Sequence, residues 1–127
     1  MEQYNEIVLE NFHNPKNIGK ILQPDGIGKA GNPCCGDVME MYIRVEKNII
    51  VDAKFQTFGC VAAIASSSIT TQLAIGKTID EAKKISKKDI LSALGTLPLI
   101  KQHCSLLGAK ALQKAIEDYQ QKTLQKI

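Results

Sequence analysis

The sequence predicts an α+β domain: a three-stranded antiparallel sheet covered by helices. Two observations carry that expectation. From Asp37 to Gln56 apolar and polar residues alternate with a period of two, broken once at Lys47-Asn48, as a hairpin requires. Before and after that stretch the apolar spacing is that of a helix, and Gly- and Pro-rich punctuation separates the two regimes. A length of 127 residues fits one domain spanning 1–127, with a polar tail over 121–127. Such a chain buries about two-thirds of its unfolded surface, so it needs no disulfide to hold a core.

Each element has its own justification. Tyr4, Ile7, Val8 and Phe12 share one face of a first helix, and Asn14-Pro15 ends it, since the residue before proline is pushed out of the α region. Residues 15–36 hold three of the four prolines and five of the nine glycines and read as irregular, with room for one short strand. Met39, Met41, Ile43 and Val45 then alternate with Glu40, Tyr42, Arg44 and Glu46; after the turn, Ile49, Val51, Ala53 and Phe55 are expected to share the buried face of the partner strand. Gly59-Cys60 closes that strand and Val61–Ser68 opens a helix of small residues, against which neighbouring backbone can pack closely, with Gly76 as its C-terminal stop. Thr78-x-x-Glu81 and Ser86-x-x-Asp89 are capping-box starts. A last helix starts between Leu97 and His103 and buries Ile100, Cys104, Leu107, Ala111, Ala115, Ile116 and Tyr119.

Composition removes several function classes. The net charge is +3, and of 16 basic residues only Arg44 is an arginine, so the bidentate fork favoured for reading bases and gripping phosphates is nearly absent. Lys77 to Lys88 is the densest basic run, but Asp80, Glu81 and the apolar Ile79, Ala82 and Ile85 interleave it, the pattern of a solvated helix face. No nucleic-acid partner is expected. No apolar run approaches the ~18 residues of a membrane span, and Met1–Glu6 lacks the basic and apolar regions of a secretory signal. A cytoplasmic protein without membrane contact is the expectation.

The four cysteines, Cys34, Cys35, Cys60 and Cys104, contain no C-x-x-C pair, which excludes a zinc ribbon, a ferredoxin-type run and a thioredoxin-type motif. Any shared site must be assembled from distant segments. Cys35 precedes a strand, Cys60 lies where a strand meets a helix, and Cys104 lies early in the last helix, with Asp37 and His103 each within two residues of a cysteine. Loops and element ends are where rigid folds place functional groups. At a helix N-terminus the dipole and the free N–H groups also favour a thiolate. A buried cysteine can equally be a small core hydrophobe, and spacing alone does not name a metal.

The segments around these cysteines carry a resemblance. Gly31-Asn32-Pro33-Cys34-Cys35-Gly36-Asp37-Val38-Met39 resembles the G-x-P-x-C-G-D-x-M segment of IscU-type iron–sulfur cluster assembly scaffolds, a family that includes the N-terminal domain of NifU. Thr57-Phe58-Gly59-Cys60-Val61 through Ser68 resembles its second signature, Lys101-Gln102-His103-Cys104-Ser105 its third, and Asn14-Pro15-Lys16-Asn17-Ile18-Gly19 the family's opening segment. The likeness covers nearly the whole chain in one order.

The resemblance implies a scaffold rather than an enzyme. It would accept persulfide sulfur from a cysteine desulfurase, combine it with iron, hold a 2Fe-2S cluster and pass it to apo-proteins. A ferredoxin or frataxin-like protein would assist, and a homodimer is a further partner state. By resemblance Cys35, Cys60 and Cys104 are the thiolate ligands, Asp37 and His103 accompany them, and Cys104 is the sulfur acceptor with Lys101 beside it. Thiolates suit iron–sulfur clusters, and a hard carboxylate in place of a fourth thiolate would make one iron easier to release. Against these roles stand plainer ones: Asp37 as a turn cap, His103 and Lys101 as solvated helix residues, and Ser66-Ser67-Ser68 as packing residues rather than nucleophiles. Cys34 occupies a variable position of the family motif and is a rival fourth ligand, although neighbours in an extended segment point to opposite sides. Leu99 stands where many relatives carry the second proline of an L-P-P-V-K segment bound by a DnaK-type chaperone, which leaves that partnership open. The competing reading is a zinc-binding, SufU-like sulfurtransferase partner of a desulfurase, with zinc as the metal found on isolation. The preceding His103 and the short stretch between Cys60 and Cys104 favour the scaffold.

Overall fold

In the computed structural model, residues 4–32, 37–57, 59–95 and 103–125 are described; the side chains of Asn32, Asp37, residues 103–105 and residues 124–125 lie outside that description. The elements are α1 (Glu6–His13), β1 (Gly26–Asn32), β2 (Asp37–Glu46), β3 (Ile49–Thr57), α2 (Val61–Ala74), α3 (Ile79–Lys83), α4 (Lys87–Leu94) and α5 (His103–Gln125). The three strands form one antiparallel sheet in the order β1-β2-β3. The expected α+β architecture is the observed one.

The hairpin turns on two residues. Lys47 (φ 52°) and Asn48 (φ 67°) both occupy the left-handed region, which matches the right-handed twist of the flanking strands. One expectation for β3 fails here. Arg44 pairs with Asp52 but Val45 pairs with Ile50, so Val51 is an extra residue in β3, a β-bulge. A one-residue slip moves side chains to the other face. Ile50 is therefore buried with Ala53 and Phe55, while Ile49 and Val51 are exposed by 39% and 43%. The inner face of the sheet carries Met39, Met41, Ile43, Ile50, Ala53 and Phe55, all fully buried, each large side chain contributing about 1.5–3 kcal/mol on leaving water.

The buried face of α1 also differs from expectation. Val8 and Asn11 face inward, whereas Ile7 is 47% exposed. Asn11 tolerates burial because its polar atoms are all engaged: Nδ2 donates to the Ile7 carbonyl (2.9 Å), and Oδ1 accepts from Ser68 Oγ (2.7 Å) and Gln72 Nε2 (2.8 Å). Asn5 caps the helix, accepting from the Val8 N–H at 2.8 Å.

Helix α2 runs back along β3 through the centre of the molecule. Its far end is fixed by backbone hydrogen bonds, Gly76 N–H to the Ile50 carbonyl (2.8 Å) and Ile50 N–H to the Lys77 carbonyl (2.9 Å), with Gly76 at φ 91° as the expected stop. Ala62, Ala63, Ala65, Ser66, Ser67, Ser68, Thr70 and Thr71 are all fully buried, so the small residues serve close packing as the sequence suggested. Both capping boxes form: the Thr78 hydroxyl accepts from Glu81 N–H at 3.2 Å, and the Asp89 carboxylate accepts from Ser86 N–H at 2.9 Å. Helix α5 covers β1, crossing it at Gly26 and Gly28, whose missing side chains leave room for the helix backbone.

Candidate functional site

The two ends of the sheet are not equivalent. Asn32 of β1 pairs with Asp37 of β2, and Met39 pairs with Thr57 near the end of β3, so Asp37 and Thr57 lie at the same end. Thr57 holds that end together through one hydroxyl, which donates to the Val38 carbonyl (2.8 Å) and accepts from Gly59 N–H (3.1 Å). The second bond turns the chain off the strand and delivers Cys60 to the N-cap of α2.

Cys60 has extended backbone (φ −80°, ψ −173°), and its carbonyl accepts the first helical bond from Ile64 at 3.0 Å. The side chain makes no capping hydrogen bond. A Ser, Thr or Asp at this position would spend its oxygen on a backbone N–H of the first turn. Sulfur is a weak acceptor, so the thiol stays uncommitted beside a helix terminus that favours negative charge. It is a free, half-buried thiol.

Helix α5 starts at the same end. Its Ala115 lies against Gly26 and its Ala111 against Gly28, so the helix runs antiparallel to β1 and its residue numbers fall toward Asn32. His103 and Cys104 are its first two residues. The fold thus brings Asp37, Cys60 and the His103-Cys104 turn, from three separate segments, to one end of one sheet. Asp37 is the first residue of β2. Cys34, Cys35, Lys101 and Leu99 lie outside the described residues, as do the side chains of Asp37, His103 and Cys104. Among the described residues no three His, Cys, Asp or Glu side chains group to hold a metal ion.

Two further polar features lie on other surfaces of the molecule. On the outer face of the sheet Tyr42 donates to Glu40 at 2.5 Å, and Lys29 pairs with the same carboxylate at 3.3 Å. Burial, reinforced by the neighbouring carboxylate, pushes the Tyr42 hydroxyl up to about 12, and the Tyr42 hydrogen bond holds Glu40 below its ordinary value. Their i, i+2 spacing on a strand was the available signal, and it points to a same-face, cross-strand network rather than a reactive pair. A groove of about 530 Å³ between the end of α2, α3 and α4 is lined by Leu73, Lys77, Glu81, Lys84, Ile85 and Asp89, with mixed charge over an apolar floor and no thiol. Ser68 is committed to Asn11 and to the Lys16 N–H (3.0 Å), so its hydroxyl serves structure. His13 packs its ring edge-on to Phe12 at 5.1 Å at the end of α1.

Known proteins supply the context. The NifU-like N terminal domain matches residues 3–126. The chain belongs to that family. Its members include a protein named iron–sulfur cluster assembly scaffold protein IscU 1 from Archaeoglobus fulgidus, 56% identical over 116 residues that cover 91% of this chain and 76% of that protein. A Drosophila melanogaster protein named iron–sulfur cluster assembly enzyme IscU is 48% identical over 128 residues, covering 98% of this chain and 82% of that one. Among solved structures, the N-terminal region of a NifU-like protein from Brucella abortus matches with a TM-score of 0.72 at 22% identity, over 93% of this chain and 94% of that one, a likeness of fold. A putative SUF-system scaffold from Fervidobacterium islandicum matches at 0.73 and 26% identity, over 89% of this chain and 96% of that one. Among the described residues no helix is long and apolar enough to cross a membrane.

Proposed function

We propose that this chain is a scaffold on which an iron–sulfur cluster is assembled and from which it is passed to apo-proteins. The observation that carries the reading is the convergence of Asp37, Cys60 and the first turn of α5 at one sheet end, with the Cys60 thiol left uncommitted at a helix N-cap. Membership of a family whose similar relatives are named as IscU scaffolds supports it.

In this account Cys35, Cys60 and Cys104 supply thiolates to a 2Fe-2S cluster, which is cargo rather than a resident cofactor. Asp37 and His103 complete the donor set, and the hard carboxylate keeps one iron open to an incoming thiolate. Sulfur arrives by thiol exchange. The Cys104 thiolate attacks the terminal sulfur of a desulfurase persulfide; a new S–S bond forms on Cys104, the old one breaks, and the desulfurase cysteine leaves as thiolate. Lys101 favours the anionic acceptor. Turning each transferred sulfur into sulfide takes two electrons, supplied by a ferredoxin-class donor. The chain contributes ligands and position rather than turnover.

Anaerobic incubation with ferrous iron, a cysteine desulfurase, cysteine and a reductant tests the proposal. A brown protein with 2Fe-2S visible absorption is expected. A colourless product holding one zinc that iron does not displace contradicts it and leaves the SufU-like sulfurtransferase. With the cluster formed, Asp37→Ala should slow its transfer to an apo-ferredoxin; an unchanged rate removes Asp37 from the site.

A further inference from the structure

The seam between α5 and β1 is a backbone-to-backbone contact. A Cβ at Gly28 would overlap the Ala111 carbonyl oxygen and the Ala115 amide nitrogen and would stand 3.0 Å from the Lys114 carbonyl carbon. A Cβ at Gly26 would overlap the Ala115 carbonyl oxygen and meet Tyr119 Cβ at 3.1 Å. Neither glycine has a positive φ, so backbone freedom is not what places them there. Their role is the approach itself. The nearest obstructing atoms at both glycines are main-chain atoms of a helix, and no side-chain rotamer can move them aside to admit a methyl group.

The same contacts set a register. Two strand residues advance about 6.8 Å, and four helix residues about 6 Å. Gly26 meets Ala115 and Gly28 meets Ala111, so the helix drops four residues for every two of the strand. Continued along β1, this places residue 107 at Ala30 and residue 103 at Asn32, the partner of Asp37. A second fastener works at the other end of the seam. The Asp118 carboxylate accepts the Ile27 N–H at 2.9 Å and pairs with Lys122 at 3.0 Å. Burial pulls its pKa upward, but the Ile27 N–H and Lys122 outweigh that, and Asp118 sits below the ordinary value and stays ionised.

We infer that Gly26, Gly28 and Asp118 are positioning residues that fix the register of α5 on β1 and thereby set the first turn of α5, with His103 and Cys104, level with Asp37. The inference rests on the scaffold reading for the purpose of that placement, but the placement itself is testable without a cluster. The probe is Co²⁺ added anaerobically to the full chain, read by its thiolate charge-transfer band and by its affinity. Three thiolates and their neighbours must be correctly spaced to hold the ion, whatever metal the protein carries in the cell.

In Gly28→Ala the helix must lift or slide, and Co²⁺ affinity should fall about tenfold with an altered charge-transfer band. Gly19→Ala is the control for stability alone. Its Cβ would meet nothing within 4 Å, and its cost is backbone strain at φ 126° away from α5; it should lower the melting temperature and leave the cobalt spectrum unchanged. If Gly28→Ala does not fold, the solvent-side Asp118→Ala carries the test. It should weaken Co²⁺ binding about two- to threefold, and Asp118→Asn, which keeps an acceptor for Ile27, should restore it. Unchanged affinity and spectrum in the folded Gly28→Ala, or in Asp118→Ala where that variant stands in, overturn the inference. An equal loss in Gly19→Ala, or a wild type that binds no Co²⁺, does the same. A wild type that binds Co²⁺ with the predicted variant pattern but builds no cluster leaves the positioning intact and refutes the scaffold reading instead.

Discussion

The hairpin end of the sheet and the opposite end are held by different means. At the hairpin end backbone closes on backbone: besides the two bonds between Ile50 and the end of α2, Ile79 N–H donates to the Asn48 carbonyl at 3.0 Å, and Ile49 bridges Thr78. The capped start of α3 then seals the turn. At the opposite end, among the described residues, the Thr57 hydroxyl ties β2 to the chain leaving β3, and the half-buried Cys60 thiol is engaged in no cap. Among the described residues, the hairpin end spends its polar groups on structure, and the other leaves the Cys60 thiol out of the helix cap. A fold can hold an exchangeable group at one end of a sheet because the other end is over-determined.

Variants at the two ends should therefore have separable effects. The largest loss of stability is expected from Ile79→Ala, which empties a nearly fully buried position at the hairpin end and should cost about 2–5 kcal/mol by denaturant unfolding. Cluster content per folded chain should stay at the wild-type level; a parallel loss of cluster would mean that the ends are not independent. Thr57→Val comes next, at about 1–3 kcal/mol, because the Val38 carbonyl and the Gly59 N–H both lose their partner. Unlike Ile79→Ala it should also shorten the lifetime of the assembled cluster in air. Equal lifetimes would show that Cys60 is held by something other than the Thr57 turn.

The smallest effect belongs to the cap of α3. Thr78→Ala should cost about 1 kcal/mol. The Thr78 backbone N–H and hydroxyl also hold the Glu81 carboxyl below its ordinary value. A depressed carboxylate supplies stability that is present above its unfolded pKa and lost as the pH falls through the folded one. Thr78→Ala should therefore flatten the acid limb of the stability profile, and an unaltered limb would assign that limb to other carboxylates.

What was legible in the sequence follows the range of the forces involved. The Lys47-Asn48 turn, both capping boxes and the Gly76 stop are decided within four residues, and each stands where it was expected. The inner face of β3 near the turn was misread because the Val51 bulge is a property of the pairing with β2, which alternation within one strand cannot reveal. Asn11 was overlooked as an inward residue because its partners Ser68 and Gln72 are 57 and 61 residues away. At the candidate site, Cys60 at a strand–helix junction was readable locally, and the start of the last helix could be bracketed between Leu97 and His103. That α5 would lie antiparallel on β1 was not readable, since it depends on glycines and a helix about 85 residues apart meeting in space.

The central claim is that the Cys60 thiol serves the cluster and not the fold. It is tested most directly by the iron and sulfide content of Cys60→Ser after anaerobic reconstitution, with its unfolding midpoint measured on the same sample. A hydroxyl is a much poorer ligand for this iron than a thiolate but a better helix cap. The account predicts a variant at least as stable as the wild type that retains no stable cluster. A Cys60→Ser protein carrying the wild-type amount of iron and sulfide would contradict it.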